Sequence, residues 1–176
     1  MSSLTRKLVT PLKIGNLTLA HRVIMAPLTR YRADENHAHT ELGVEYYSQR
    51  AEFPGTLLIT EATAISPEAG GHDYTPGIWS DEQIRAWKKV TDAVHERCSY
   101  IFLQLWALGR TADTKALARE GLQFVSASPI PMEKGGPIPK ALSEEEVKQY
   151  VEKYAQAAQN AVFKAGFDGV EIHGAK

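Results

Sequence analysis

Cysteine is almost missing from this chain. Cys98 is the only one in 176 residues, which excludes an internal disulfide and any multi-cysteine metal site and fits a reducing compartment. Taken as part of a helix, Cys98 reads as an inert core thiol. Charge of either sign is not in excess: 20 Lys and Arg stand against 21 Asp and Glu, a formal net charge of −1. No summed positive field attracts nucleic acid or an anionic bilayer, so a small molecule is the expected partner. Long apolar runs are missing as well, since none approaches the ~20 residues of a membrane-spanning helix. The start, Met1-Ser-Ser-Leu-Thr-Arg-Lys, carries no apolar signal core. A cytoplasmic location is the expectation. Two phosphate-binding patterns are absent too. No G-x-G-x-x-G turn follows the first apolar strand, where Met25-Ala-Pro-Leu-Thr stands instead, and no P-loop occurs. A nicotinamide is therefore expected to visit as a substrate and not to reside as a cofactor.

What is present is a regular alternation of short apolar runs and helical periods, without an internal repeat. The 43% hydrophobic content supports one core, so residues 1–176 are read as a single domain. Thr10 to Leu19 alternates around Gly15-Asn16, the pattern of a short hairpin. Val23-Ile-Met-Ala-Pro, Thr56-Leu-Leu-Ile-Thr-Glu-Ala, Tyr100-Ile-Phe-Leu-Gln-Leu and Gly169-Val-Glu-Ile-His read as four buried strands. Glu45 to Ala51 is the helix after the first. Ser80 with Gln83 and Ser143 with Glu146 form capping boxes that open two longer helices. The first carries Ile84, Trp87, Val90 and Val94 on one face. The second carries Val147, Tyr150, Val151, Tyr154, Ala158 and Val162, and is closed by Gly166. Residues 107–141 lack a period and are expected to be a long functional loop.

Strands that alternate with helices make a parallel sheet. A closed barrel of that kind takes eight strands and ~250 residues. Four βα units preceded by a hairpin therefore predict an α/β fold, the N-terminal half of a TIM (β/α)8 barrel, with open strand edges prone to self-association. Active sites of such barrels gather at the C-terminal strand ends. Here those ends carry Pro27 and Thr29, Glu61 and Ala62, Gln104 and Trp106, and His173. A hydroxyl, a small residue, an amide, an indole and an imidazole form a set that can bind a flat heteroaromatic ring.

MAPLTRYRA, EYYSQRA, LLITEATAISPEAGG, PGIWSDEQIRAW, FLQLWALGR and GFDGVEIHGA resemble, in order and along the whole chain, the motifs of the old yellow enzyme family. The resemblance implies a barrel that holds FMN, is reduced by NADPH or NADH, and passes hydride to activated alkenes such as α,β-unsaturated carbonyls. It implies that Pro27, Thr29, Ala62, Gln104 and His173 contact the flavin. Thr29 bonds near the ring's C4 carbonyl and Gln104 bonds its pyrimidine edge. His72 and Trp106 border the substrate pocket. His173 hydrogen-bonds the substrate carbonyl beside the flavin. The family has a second donor, Asn or His, three positions after His173 and a tyrosine proton donor two further on. Here the first of these is Lys176, a mobile point charge in place of an oriented amide, and the second lies beyond the chain. The sequence is thus read as a truncated ene reductase of impaired activity that alone holds FMN weakly.

Two other readings stand beside this one. The chain is a non-catalytic half-barrel that self-associates as an interaction module, or a flavin-free barrel enzyme that uses Glu171 with His173 as an acid–base pair, since residues two apart on a strand share a face. His37-Ala-His39 is read as a solvated loop, not a metal pair. Gly70-Gly71 is read as a turn leading to His72, and Tyr46, Tyr47 and Trp79 as core.

Overall fold

A computed structural model describes residues 7–174. Strands β1 (Leu12–Ile14) and β2 (Leu17–Leu19) pair antiparallel, and Gly15 opens their turn at φ +56°, a conformation that glycine adopts without a Cβ penalty. This hairpin docks on the N-terminal end of the sheet. Ala20 N donates to Gly55 O at 3.0 Å, and a Cβ on Gly55 would lie 2.7 Å from that of Ala20.

Strands β3 (Ile24–Met25), β4 (Leu57–Ile59), β6 (Tyr100–Trp106) and β9 (Gly169–Ile172) are parallel neighbours in that order. These are the four apolar runs of the sequence. Strand β5 (Thr63–Ala64) resumes the β4 ladder farther along β6. Helix α1 (Glu41–Arg50) leads from β3 to β4, and α2 (Asp81–His95) leads from β5 to β6. Helix α4 (Glu144–Gln159) precedes β9 and runs into a π-turn at Asn160–Lys164. The helices cover one face. Leu58, Ile101, Leu103 and Leu105 pack there with Trp87, Val90 and Val94 of α2, Tyr47 and Ala51 of α1, and Ala157, Ala161 and Phe167. The opposite face, interior to a barrel, carries Phe102, Gln104 and Trp106 on β6 against Gly169, Glu171 and His173. A Cβ on Gly169 would meet the Phe102 ring at 2.7 Å, so glycine lets that ring lie across β9.

Both capping boxes form as the sequence predicts. Four expectations need correction. Helix α1 begins at Glu41, four residues before Glu45, with Thr40 as N-cap. Val147 and Val151 lie on the solvent side of α4, at 44% and 65% exposure, because Tyr150, Tyr154 and the alanines Ala157 and Ala161 suffice to pack it. The stretch 107–141 is not all loop. It contains a 3-10 turn at Gly109–Thr111, helix α3 (Thr114–Arg119) capped by Asp113, and the short pair β7 (Val125–Ser126) and β8 (Lys140–Ala141). Cys98 is exposed and sits at φ +56° in the turn after α2, outside the core. Among the described residues no helix is long and apolar enough to cross a membrane.

Gln83 does more than close its capping box. Its carbonyl oxygen accepts from Trp79 N at 2.9 Å and Ser80 N at 3.1 Å, and its amide donates to Asn36 O at 2.9 Å. The side chain is buried and ties the loop before α1 to the start of α2. Gln83→Ala is therefore expected to cost ~2–3 kcal/mol, against ~1 kcal/mol for Ser143→Ala, whose cap is exposed. Urea unfolding measures both, and equal losses would mean that the tether to Asn36 contributes nothing.

Candidate functional site

Parallel strands end on one rim, and this chain places its polar residues there. Between Ile59, paired with Phe102, and Thr63, paired with Leu105, lie three residues, 60–62, opposite only two, 103 and 104. The extra residue is a β-bulge, rare in parallel pairs and often found beside functional sites. Thr60 repairs the ladder. Its amide donates to Phe102 O at 3.0 Å and its hydroxyl accepts from Gln104 N at 3.1 Å.

The bulge turns Glu61 toward α1. Its carboxylate accepts from Arg30 N at 2.9 Å, and its own amide donates to Tyr47 Oη at 2.9 Å. The hydroxyls of Thr60 and Thr63 both donate to its carbonyl. His39 Nε2 lies 3.4 Å from Glu61 Oε1. Burial pushes the Glu61 carboxyl up to about 7 and the His39 imidazole down to about 4. Burial and the Glu61 charge hold Tyr47 well above the usual phenol range. The pair is therefore not an ion pair at neutral pH. His39 stacks edge-on against Trp87, 4.2 Å between ring centroids. Gly43 makes room for it, since a Cβ there would lie 2.5 Å from His39 Nδ1. A helix-interior glycine, costly in itself, is explained by this contact.

His37 and His39 do not form a solvated loop. His39 is buried, and His37 Nδ1 lies 2.7 Å from Thr75 O with its ring beside Trp79. The two imidazoles enter different surroundings.

On the interior face Gln104 and Glu171 are directly paired, and the Gln104 amide donates to Glu171 Oε1 at 2.7 Å. A carboxylate only accepts, so the NH2 group must face it. The Gln104 carbonyl oxygen is left to accept from another donor. Glu171 is thus taken up by Gln104, and His173 faces Trp106 instead, ring centroids 6.3 Å apart. Trp106 in turn lies 6.1 Å from His72, and His72 lies 6.0 Å from Tyr31. The rim thereby carries a row of four rings, Tyr31, His72, Trp106 and His173. Gly71 sets the His72 loop. Its φ is +118° and a Cβ would meet Ala112 Cβ at 2.6 Å, while its carbonyl accepts from Asp113 N at 2.9 Å.

The structure brings His72, Trp106, Gln104 and His173 onto one rim. Pro27 and Thr29 follow β3, half-buried, and Ala62 packs beside Trp106 within the bulge. Lys176 lies outside the described residues. Sequence reading missed Tyr31 and gave Glu61 no role. Tyr31 shows its signal only in three dimensions, a non-glycine residue at φ +52° and half-exposed, strain of the kind that collects at functional sites.

Comparison with known proteins bears on the family and the fold. Residues 7–176 match the sequence model of the NADH:flavin oxidoreductase / NADH oxidase family. The NADP-dependent oxidoreductase lnbE of Aspergillus flavus is 60% identical over 96% of this chain and 44% of its own length. The probable inactive reductase easA of Epichloe festucae var. lolii is 52% identical over 97% of this chain and 45% of its own length. The crystal structure of Old Yellow Enzyme from a Pichia species superposes with a TM-score of 0.89 at 41% identity, over 95% of this chain and 45% of that one. The chain spans about half the length of the proteins it matches, and its fold is the N-terminal portion of their barrel.

Burial gives Glu61 and His39 opposed pH dependences. His39 titrates near 6.5 when unfolded and near 4 when folded, so between these values the unfolded chain holds more protons and stability rises with pH. Glu61 moves from 4.5 to about 7, so the folded chain holds more protons and stability falls as pH rises through that window. Glu61→Gln removes the second slope. The variant is expected to gain stability more steeply than the parent from pH 4 to 6.5, measured by urea unfolding across that range. A variant with the parent's profile would show that the two groups do not titrate as their burial dictates.

Proposed function

The chain belongs to the NADH:flavin oxidoreductase / NADH oxidase family, and from that premise we propose that residues 1–176 form one domain portion of an FMN-dependent NAD(P)H ene reductase. The observation that carries this reading is the buried Gln104 amide. Its NH2 is held by Glu171 at 2.7 Å, which leaves a carbonyl oxygen suited to the imide N–H of a flavin edge. The rest of the rim fits the same group. Thr29 offers a hydroxyl to a ring carbonyl, Pro27 and Ala62 bring little bulk to the ring, and Trp106, with His72 and His173 on either side, walls the space beside it.

Gln104 and Thr29 would hold FMN by its ring edge, and the bound flavin would supply hydride transfer between NADPH or NADH and an activated alkene. The chain's own residues bind and orient. Gln104 and Thr29 fix the ring edge by hydrogen bonds. His173 donates to the carbonyl oxygen of an α,β-unsaturated substrate and draws electron density toward it. Trp106 and His72 exclude water and hold the substrate flat. The family's second donor falls at Lys176, a mobile point charge where an oriented amide is expected, and His173 is the donor to the carbonyl in this proposal. A cytoplasmic site of action and a freely exchanging nicotinamide are part of this proposal.

A second reading, a half-barrel that self-associates, draws on Val23, Ile24 and Ile172. These are 57%, 37% and 65% exposed and lie on or beside strands β3 and β9. Native mass measurement with and without FMN separates the two.

In the FMN-bound protein His173→Ala is expected to weaken phenol and enone binding and to slow alkene reduction by roughly 10–100-fold, the worth of one charge-assisted hydrogen bond, while flavin reduction by NADPH changes less. Stopped-flow measurement of the two half-reactions decides, and equal losses in both would make His173 a structural residue. Thr29→Ala is expected to retain FMN and shift its reduction potential, because it removes one hydrogen bond of ~1 kcal/mol and no anchor. An unchanged potential would remove Thr29 from the ring edge.

A further inference from the structure

We infer that Glu61, braced by Tyr47, is a positioning residue for the flavin site. Its carboxylate clamps the Arg30 amide and its backbone carries the bulge, so one residue sets both Thr29 and Ala62. This inference rests on the flavin reading above and adds to it a residue that touches neither flavin nor substrate.

The geometry is specific. Thr29 and Ala62 each neighbour a clamped residue. Arg30 N is held 2.9 Å from Glu61 Oε2, which fixes the peptide that follows Thr29. Glu61 N is held 2.9 Å from Tyr47 Oη, and Glu61 O accepts from the Thr60 and Thr63 hydroxyls at 2.9 and 3.1 Å, which fixes the peptide that precedes Ala62. Tyr47 is fully buried in α1 and Glu61 is 1% exposed. A loop of exposed residues, Ala26, Leu28 and Arg30, is thereby tied to the rigid core. The Arg30 amide donates to this carboxylate, so removing the carboxylate frees the peptide that follows Thr29.

The surroundings make the clamp responsive to pH. Facing the carboxyl are His39 from the loop before α1, Tyr46 and Tyr47 from α1, and Arg30 and Arg32 from the loop after β3. Asp34 acts on His39 from the same loop. Arg30 and Arg32 line a small cavity of about 150 Å³ that reaches Glu61, a path for proton exchange. Burial lifts the carboxyl to about 7, so its charge, and the strength of a charge-assisted bond from the Arg30 amide, change near neutral pH.

The test uses the full chain with Glu61→Leu, which removes the acceptor, and Glu61→Gln, which keeps its shape. In flavin-free protein the Arg30 amide should exchange faster in Glu61→Leu and stay near the parent in Glu61→Gln. FMN should bind about tenfold more weakly to Glu61→Leu, the equivalent of one mispositioned ring contact. The flavin potential should shift in the direction seen for Thr29→Ala, and adding Glu61→Leu to Thr29→Ala should shift it no further. In Glu61→Gln the potential should lose its extra pH dependence near neutrality. A structural role alone lowers the unfolding midpoint and leaves the potential in place. Parent FMN affinity and potential in Glu61→Leu, or full additivity with Thr29→Ala, would overturn the inference. A parent protein that binds no FMN overturns the flavin reading itself, and that is measured before any variant. Should Glu61→Leu not fold, Tyr47→Phe removes the bracing hydroxyl but keeps the core ring, with the same expected shifts.

Discussion

One extra residue opposite β6 governs this site. Because residues 60–62 face only 103 and 104, the alternation of side chains slips between Ile59 and Thr63, and a polar chain segment is carried across the sheet without breaking it. The Thr60 hydroxyl replaces the missing ladder acceptor for Gln104 N, which keeps β6 straight just where its amide side chain must be placed. Glu61 is thrown toward the helices and Ala62 toward Trp106. Without the bulge, strict alternation from Leu58 would put Glu61 on the interior face and Ala62 among the helices.

Burying a carboxyl under that bulge is costly, and the surrounding groups show how it is tolerated. Glu61 accepts from a backbone amide and stands beside a phenol and a neutral imidazole, so none of its near neighbours in the core is a buried cation that would demand a permanent charge. His39, held near 4 by burial, keeps its ring neutral and edge-on to Trp87. The two groups lose their charges in opposite pH directions, so their contributions to the pH dependence of stability oppose one another.

Features set by neighbours in sequence were legible beforehand. The two capping boxes, the Gly15 hairpin and the four apolar runs depend on contacts a few residues apart, and each lies where its pattern puts it. So does the rim set of Gln104, Trp106 and His173, because the strand ends follow from the runs. What escaped depends on partners far along the chain. The bulge needs the register against β6. The burial of His39 needs Trp87 and the gap left by Gly43. Tyr31 joins the site only because its strained backbone aims it at His72. Helix α3, six residues capped by Asp113, is too short to stand out in an alanine-rich stretch. Cys98 was misplaced by taking α2 one turn too far; the chain reverses at φ +56° there.

The division between the two faces of the sheet explains why site and stability can be varied separately in some places and not in others. Gln104, Glu171 and His173 project to the interior face, where their partners are one another and Trp106, while the helix-facing leucines and Trp87 close the core behind them. Changes on the interior face therefore alter what the rim can bind before they alter folding. Glu61 and Tyr47 belong to both sets: their side chains lie in the core and their hydrogen bonds hold rim peptides. Preorganisation of the rim thus comes from behind the sheet, through a polar contact in an apolar layer. Because that contact is satisfied only when α1, the bulge and the Arg30 loop are all in register, it couples the packing of the first helix to the placement of the site.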